Sequence, residues 1–139
     1  MTPANGLINL QDTPDKKEIF MEDDRTFVSK GWGYEDWIVN KEEYCGKLLF
    51  IKKGKKCSWH YHKNKDETFY IQSGTLEVVW GWDDRRTQDF TKKIILEEGD
   101  SFHVPVLMRH QLVGLTDVTM FEFSTQHFEE DSIRVIKGD

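Results

Sequence analysis

Gly54-Lys55-Lys56-Cys57-Ser58-Trp59-His60-Tyr61-His62-Lys63-Asn64-Lys65-Asp66-Glu67-Thr68-Phe69-Tyr70-Ile71-Gln72-Ser73-Gly74 is the stretch on which the reading of this chain turns. His60 and His62 are two apart, so on a strand both imidazoles leave the same face. Glu67 follows after a turn. A second run, Gly99-Asp100-Ser101-Phe102-His103-Val104-Pro105, leads to His110. Nitrogen and oxygen donors from three separated segments converge only inside a small closed fold, as a metal-binding β-barrel requires.

Outward from this stretch the pattern is of short strands. Runs rich in β-branched and aromatic residues occupy 27–29, 34–40, 47–53, 58–62, 67–73, 75–82, 90–96, 101–104, 110–114, 118–124 and 132–136. Ser73-Gly74 closes a hairpin, and Asp83-Asp84-Arg85-Arg86 and Glu97-Glu98-Gly99-Asp100 are turns. At most one helical turn is expected, near Asn40–Glu43. The expectation is an all-β sandwich or barrel at 27–139, preceded by a polar arm at 1–26 anchored by Ile19-Phe20-Met21.

With 139 residues, 37% hydrophobic and 13% aromatic, the chain suits one domain with a real core. Its net charge of −6 disfavours nucleic acid or an anionic membrane as the main partner. No apolar run approaches a transmembrane helix, and the first residues do not read as a signal peptide. Cys45 and Cys57 are therefore expected as reduced thiols in a cytoplasmic protein. Cys57 lies an odd number of residues before His60, so on a continuous strand it faces away from the histidine pair.

The intervals are more specific than His-x-His alone: Gly, five residues, His-x-His, four residues, Glu, six residues, Gly, then Gly, five residues, Pro, four residues, His. This resembles the two motifs of the cupin family over about Lys52 to Gly114. The resemblance implies a double-stranded β-helix, the jelly-roll barrel, in which His60, His62, Glu67 and His110 bind one divalent cation. The alternative is an empty barrel whose histidines bond one another and water. Three imidazoles and a carboxylate leave open positions, which suits Mn, Fe, Co, Ni or Zn and disfavours Ca. Two places depart from the family pattern: Leu107 stands where glycine is usual, and Gly114 where asparagine is frequent.

The flanks narrow the resemblance. Gly31-Trp32-Gly33-Tyr34-Glu35-Asp36-Trp37, Tyr44-Cys45-Gly46-Lys47-Leu48 and the segment from Phe121 to Arg134 look like the type II mannose-6-phosphate isomerase group of cupins. His60 departs from the glutamine common there, as does Ser124, and no nucleotidyltransferase domain is expected within these residues. The resemblance implies a sugar or sugar-phosphate ligand, with Arg134 and Lys47 as candidate contacts to its anionic end. Isomerisation also needs a base. Glu122 is the candidate, because a carboxylate facing the barrel interior has its pKa raised by desolvation. The bland reading, a solvated strand glutamate, stands beside it.

Three functions are thus expected in order: a metal-dependent isomerase or epimerase of sugar phosphates, an iron-dependent oxygenase or metal-assisted lyase, and a non-catalytic carbohydrate-binding cupin. Trp59 and Tyr61, opposite in parity to the histidines, are expected outside the cavity. Phe69 and Ile71 are expected to line it. Trp80 and Trp82 are expected exposed, at the contact of a homodimer.

Overall fold

The computed structural model describes residues 25–139; the arm expected at 1–26 falls almost wholly outside them. Eleven strands follow in chain order: β1 (Thr26–Lys30), β2 (Gly33–Asn40), β3 (Cys45–Ile51), β4 (Trp59–His62), β5 (Glu67–Ser73), β6 (Leu76–Gly81), β7 (Lys92–Leu96), β8 (Ser101–Val104), β9 (Arg109–Gly114), β10 (Val118–Ser124) and β11 (Ser132–Ile136). They form a six-stranded sheet, β1-β2-β3-β10-β5-β8, and a five-stranded sheet, β11-β4-β9-β6-β7. All the pairings are antiparallel. Two such sheets face to face make the expected jelly roll.

Alternation along the strands explains the sandwich. In β3, Cys45, Lys47, Leu49 and Ile51 are buried, while Gly46, Leu48 and Phe50 between them are only half-buried. Leu49, Ile51, Phe69, Ile71, Leu76, Val78, Val104, Leu112, Val118 and Met120 meet between the sheets as one core. Ile71, Leu76 and Met120 are wholly buried, so truncating any of them to alanine costs about 2–5 kcal/mol.

Some expectations shift. No helical turn forms at 40–43; Lys41 N–H donates to the Tyr44 carbonyl at 2.8 Å and the chain simply bends from β2 into β3. Phe90 belongs to a 3-10 turn (Gln88–Phe90) and not to β7. Trp82 is exposed as expected, but Trp80 is not: it pairs across the sheet with His110 and packs against the core. No helix among the described residues is long and apolar enough to cross a membrane.

Two backbone features account for the departures from the family pattern. The turn Pro105-Val106-Leu107-Met108 is closed by Met108 N–H to the Pro105 carbonyl, with Leu107 at φ 74°. That is the left-handed conformation a type II turn demands at its third residue, where glycine is ordinarily found. The turn therefore keeps its shape despite leucine, and Leu107 N–H donates to the His62 carbonyl at 2.8 Å, tying the turn to β4. At Gly114 a Cβ would lie 2.8 Å from the Lys52 carbonyl oxygen, so a larger residue there needs a backbone shift.

Candidate metal centre

β4 and β9 run side by side, with His60 directly opposite His110. His62 follows on the same face of β4, and the ligand nitrogens of the three histidines lie within 4.8 Å of one another. All three rings come from the five-stranded sheet. Glu67 comes from the other: it opens β5, and its Oε2 lies 3.4 Å from His62 Nε2 and 3.3 Å from His110 Nε2. The four residues named from the sequence are thus brought together across the sandwich.

The backbone decides which nitrogens face inward. Nδ1 of His60 lies 2.9 Å from the Ser58 carbonyl, Nδ1 of His62 3.1 Å from that of Asp131, and Nδ1 of His110 3.0 Å from that of Met108. A carbonyl only accepts, so each Nδ1 carries the proton and each Nε2 presents a lone pair. Burial, reinforced by the neighbouring histidines, holds His60 well below the ordinary imidazole pKa. Burial also lowers His62 to about 4. Both rings are therefore neutral near pH 7, as ligation requires.

This arrangement leaves a cation-sized debt. Glu67 Oε2 and His110 Nε2 are buried and have no hydrogen-bond partner. Burial would raise the Glu67 pKa, yet the charge of Lys65, the foremost opposing cause, holds it well below the carboxylate range. An ionised oxygen facing an imidazole lone pair is unfavourable, and a divalent cation between them relieves it. Neutral imidazoles plus one carboxylate fit a transition metal, with Mn, Fe, Co, Ni and Zn all compatible.

The six-stranded sheet supplies charge around the imidazoles. Lys47 and Glu122 are cross-strand partners on β3 and β10, both buried and both lining the cavity. Lys47 Nζ is 3.3 Å from Glu35 Oε1 and 4.3 Å from the Trp37 ring centre. Glu122 Oε2 accepts from Lys65 Nζ at 2.9 Å and from Ser124 Oγ at 3.0 Å. Burial raises the Glu122 pKa, with Lys65 opposing. The apolar neighbours Phe121 and Phe123 turn outward, so this strand carries its charge inside. Arg134, opposite His60 on β11, reaches the mouth of the cavity and pairs with Glu129 at 3.0 Å.

Three buried participants were not singled out from the sequence. Lys65 is 3% exposed and enters the same cavity; its spacing of two from Glu67 was the available signal. His127 takes Lys65 Nζ at 3.0 Å on Nδ1 and Glu129 Oε2 at 3.1 Å on Nε2. The Asp131 carboxylate accepts the N–H groups of Lys63, Asn64 and Lys65 at 2.9–3.0 Å, anchoring the loop between β4 and β5. Long-range pairings of this kind leave no local periodicity to read.

Elsewhere the parities hold in part. Trp59 and Tyr61 do lie off the metal face: Trp59 donates to the Asp84 carbonyl, and Arg109 stacks on Tyr61 at 3.7 Å. Phe69 lines the cavity, while Ile71 lies deeper in the core. Cys57 does not face away. It precedes β4, where strand alternation no longer applies, and it lines the cavity while its Sγ accepts from Leu112 N–H at 3.1 Å. Burial pushes its thiol up to about 12, so it is an inert packing group.

The cavity has a volume of about 80 Å³. A single water needs roughly 10–15 Å³ by this measure, so there is room for an ion's remaining ligands and part of a small molecule.

Comparison with known proteins agrees with this geometry. The chain is 31% identical over 108 residues to a mannose-1-phosphate guanylyltransferase of Sinorhizobium fredii (strain NBRC 101917 / NGR234), covering 75% of this chain but only 19% of that protein. Among solved structures it is similar to the capsular polysaccharide assembling protein CapF from Staphylococcus aureus (TM-score 0.69, 16% identity, 81% of this chain and 33% of that one). It is also similar to KdgF from Halomonas sp. (TM-score 0.61, 17% identity, 84% and 94%) and to an oxalate decarboxylase of Bacillus subtilis (TM-score 0.68, 18% identity, 83% and 31%). At these identities the structures speak for the fold alone. The family model for the cupin domain matches residues 47–123, more than half of the chain. With three inward-facing histidines on a two-sheet jelly roll, this chain belongs to the cupin family.

Proposed function

We propose that this protein is a metal-dependent cupin acting on a sugar or sugar phosphate, most concretely an isomerase or epimerase of the mannose-6-phosphate isomerase type. One observation carries the reading: Glu122, a buried carboxylate with a raised pKa, shares a cavity with the orphaned donors Glu67 Oε2 and His110 Nε2. Aldose–ketose exchange and epimerisation both need a polarised carbonyl next to a group that takes and returns a proton.

A divalent transition metal held by His60, His62, His110 and Glu67 would supply the Lewis acidity. Glu122 takes the proton from carbon and returns it, its affinity for that proton enhanced by burial. Lys47 and, at the mouth, Arg134 supply positive charge for an anionic substituent, Arg134 exchanging Glu129 for the ligand. The similarity to a protein named for mannose 1-phosphate supports a sugar-class ligand. Exposed Phe27, Phe123 and Trp82 support the further reading that the protein is a homodimer, which sedimentation velocity would show as twice 16.5 kDa.

The test is turnover by the full chain after chelation and reconstitution with each of Mn, Fe, Co, Ni and Zn. It runs across sugar phosphates, anaerobically, with oxygen uptake recorded in parallel. Interconversion of fructose 6-phosphate and mannose 6-phosphate, or of an epimeric pair of sugar phosphates, that is abolished by His62→Ala supports the proposal. Oxygen uptake confined to Fe(II), or sugar binding without turnover under every metal, would replace it with the oxygenase or the binding module.

A further inference from the structure

Lys65 is the buried charged group that this mechanism leaves unused. Its ammonium carries three protons, and three acceptors surround it: Glu122 Oε2 at 2.9 Å, His127 Nδ1 at 3.0 Å and Glu67 Oε1 at 3.4 Å. His127 accepts on Nδ1 because its Nε2 proton is directed to Glu129 Oε2. The backbone is held as firmly, since Lys65 N–H and the two before it all donate to the Asp131 carboxylate. Two of its protons are engaged by hydrogen bonds to Glu122 and His127, and the remaining side of the ammonium faces Glu67 Oε1 as an ion pair.

Its effect falls on Glu67. One oxygen of that carboxylate, Oε1, faces the ammonium, while the other, Oε2, is the buried atom without a partner beside His62 and His110. A carboxylate with both oxygens free can chelate a cation through the pair and so take an additional coordination position. We infer that Lys65 is a positioning residue that confines Glu67 to a single donor oxygen and thereby keeps a coordination position open for substrate. The inference rests on the metal reading above, but not on any particular substrate.

Cobalt(II) tests it, because its visible d–d absorption weakens as coordination number rises. Lys65→Met removes the charge and keeps the chain length. In the full-length protein this variant is expected to bind Co(II) about tenfold more tightly, since a like charge leaves and Oε1 is released. Its d–d bands should be weaker than those of the wild type. In a Glu67→Gln background the same substitution should leave the bands unchanged. Should Lys65→Met fail to fold, Lys65→Met with Glu122→Leu removes both buried charges together and is read in the same way. Unchanged affinity and bands in a folded variant would overturn the inference, as would a spectral change that persists with Glu67→Gln. Absence of any Co(II) binding by the wild type overturns it together with the metal reading. Co(II) binding with the expected spectra but no sugar turnover leaves the inference standing and removes only the isomerase.

Discussion

His110 Nε2 and Glu67 Oε2 face each other across 3.3 Å from opposite sheets, both buried and both without a hydrogen bond. The two strands that carry them, β9 and β5, are not neighbours in either sheet. Closing the sandwich creates this contact, and its cost is recovered only when positive charge enters.

Metal should therefore stabilise the fold. At a hundredfold excess over Kd, a ligand specific to the native state adds about 2.7 kcal/mol, on the order of 10 °C in Tm for a domain of this size. Chelated protein titrated with Zn or Mn should show that rise by calorimetry, and His110→Ala should show none. Identical melting with and without metal would count against the site.

Glu122 should matter twice. Glu122→Leu leaves the Lys65 ammonium without its 2.9 Å partner and costs about 3 kcal/mol, near the lower end for a broken buried pair because Glu67 and His127 remain. Glu122→Gln keeps an acceptor oxygen and should cost about 1 kcal/mol in urea unfolding. Both should lose turnover. Activity of the glutamine variant within about threefold of wild type would remove Glu122 as the base.

Acid should destabilise the metal-free protein well before pH 4. Burial, with Lys65 and Lys47 adding repulsion, lowers His127 to about 4. The unfolded chain takes up that proton near pH 6.5, so between these values the unfolded state binds more protons than the native one. Stability from this group is full above about pH 6.5 and is lost as pH falls toward 4. Urea midpoints measured from pH 7 to 4 in chelator should decline, and His127→Gln should make the decline shallower. An equal slope in the variant would contradict the assignment.

Leu107→Gly should be stabilising. A non-glycine residue in the left-handed region costs roughly 1–2 kcal/mol, against about 0.5–1 kcal/mol for the greater entropy glycine loses on folding. Leu107 is 46% exposed, so little buried surface is forfeited. A gain of about 0.5–1 kcal/mol is expected in chemical denaturation, with metal affinity unchanged. A loss of stability would mean the leucine side chain contributes more than its exposure suggests.

Much of the site was legible because its logic is local. His60 and His62 share a face by strand parity, and the Pro105–Met108 turn delivers His110 at a fixed interval. The same parity reasoning failed at Cys57, which lies before β4 begins; Trp80 was expected exposed at a hairpin, whereas strand alternation turns it toward the core. Lys65 went unread for a different reason: a lysine two residues from a glutamate is ordinary on any surface strand. What makes it special is burial against Glu122 and His127, 57 and 62 residues away.

Strand alternation, turn chemistry and the spacing of His60, His62, Glu67 and His110 were thus determined by the chain alone, since each depends only on near neighbours. Which sheet each donor comes from, the proton on every Nδ1, and the division of Glu67 between an ammonium and an open oxygen were decided by tertiary structure. Those depend on which carbonyls and charges the two sheets bring within 3–4 Å of one another. Contacts of that kind join segments far apart in sequence, and no local pattern records them.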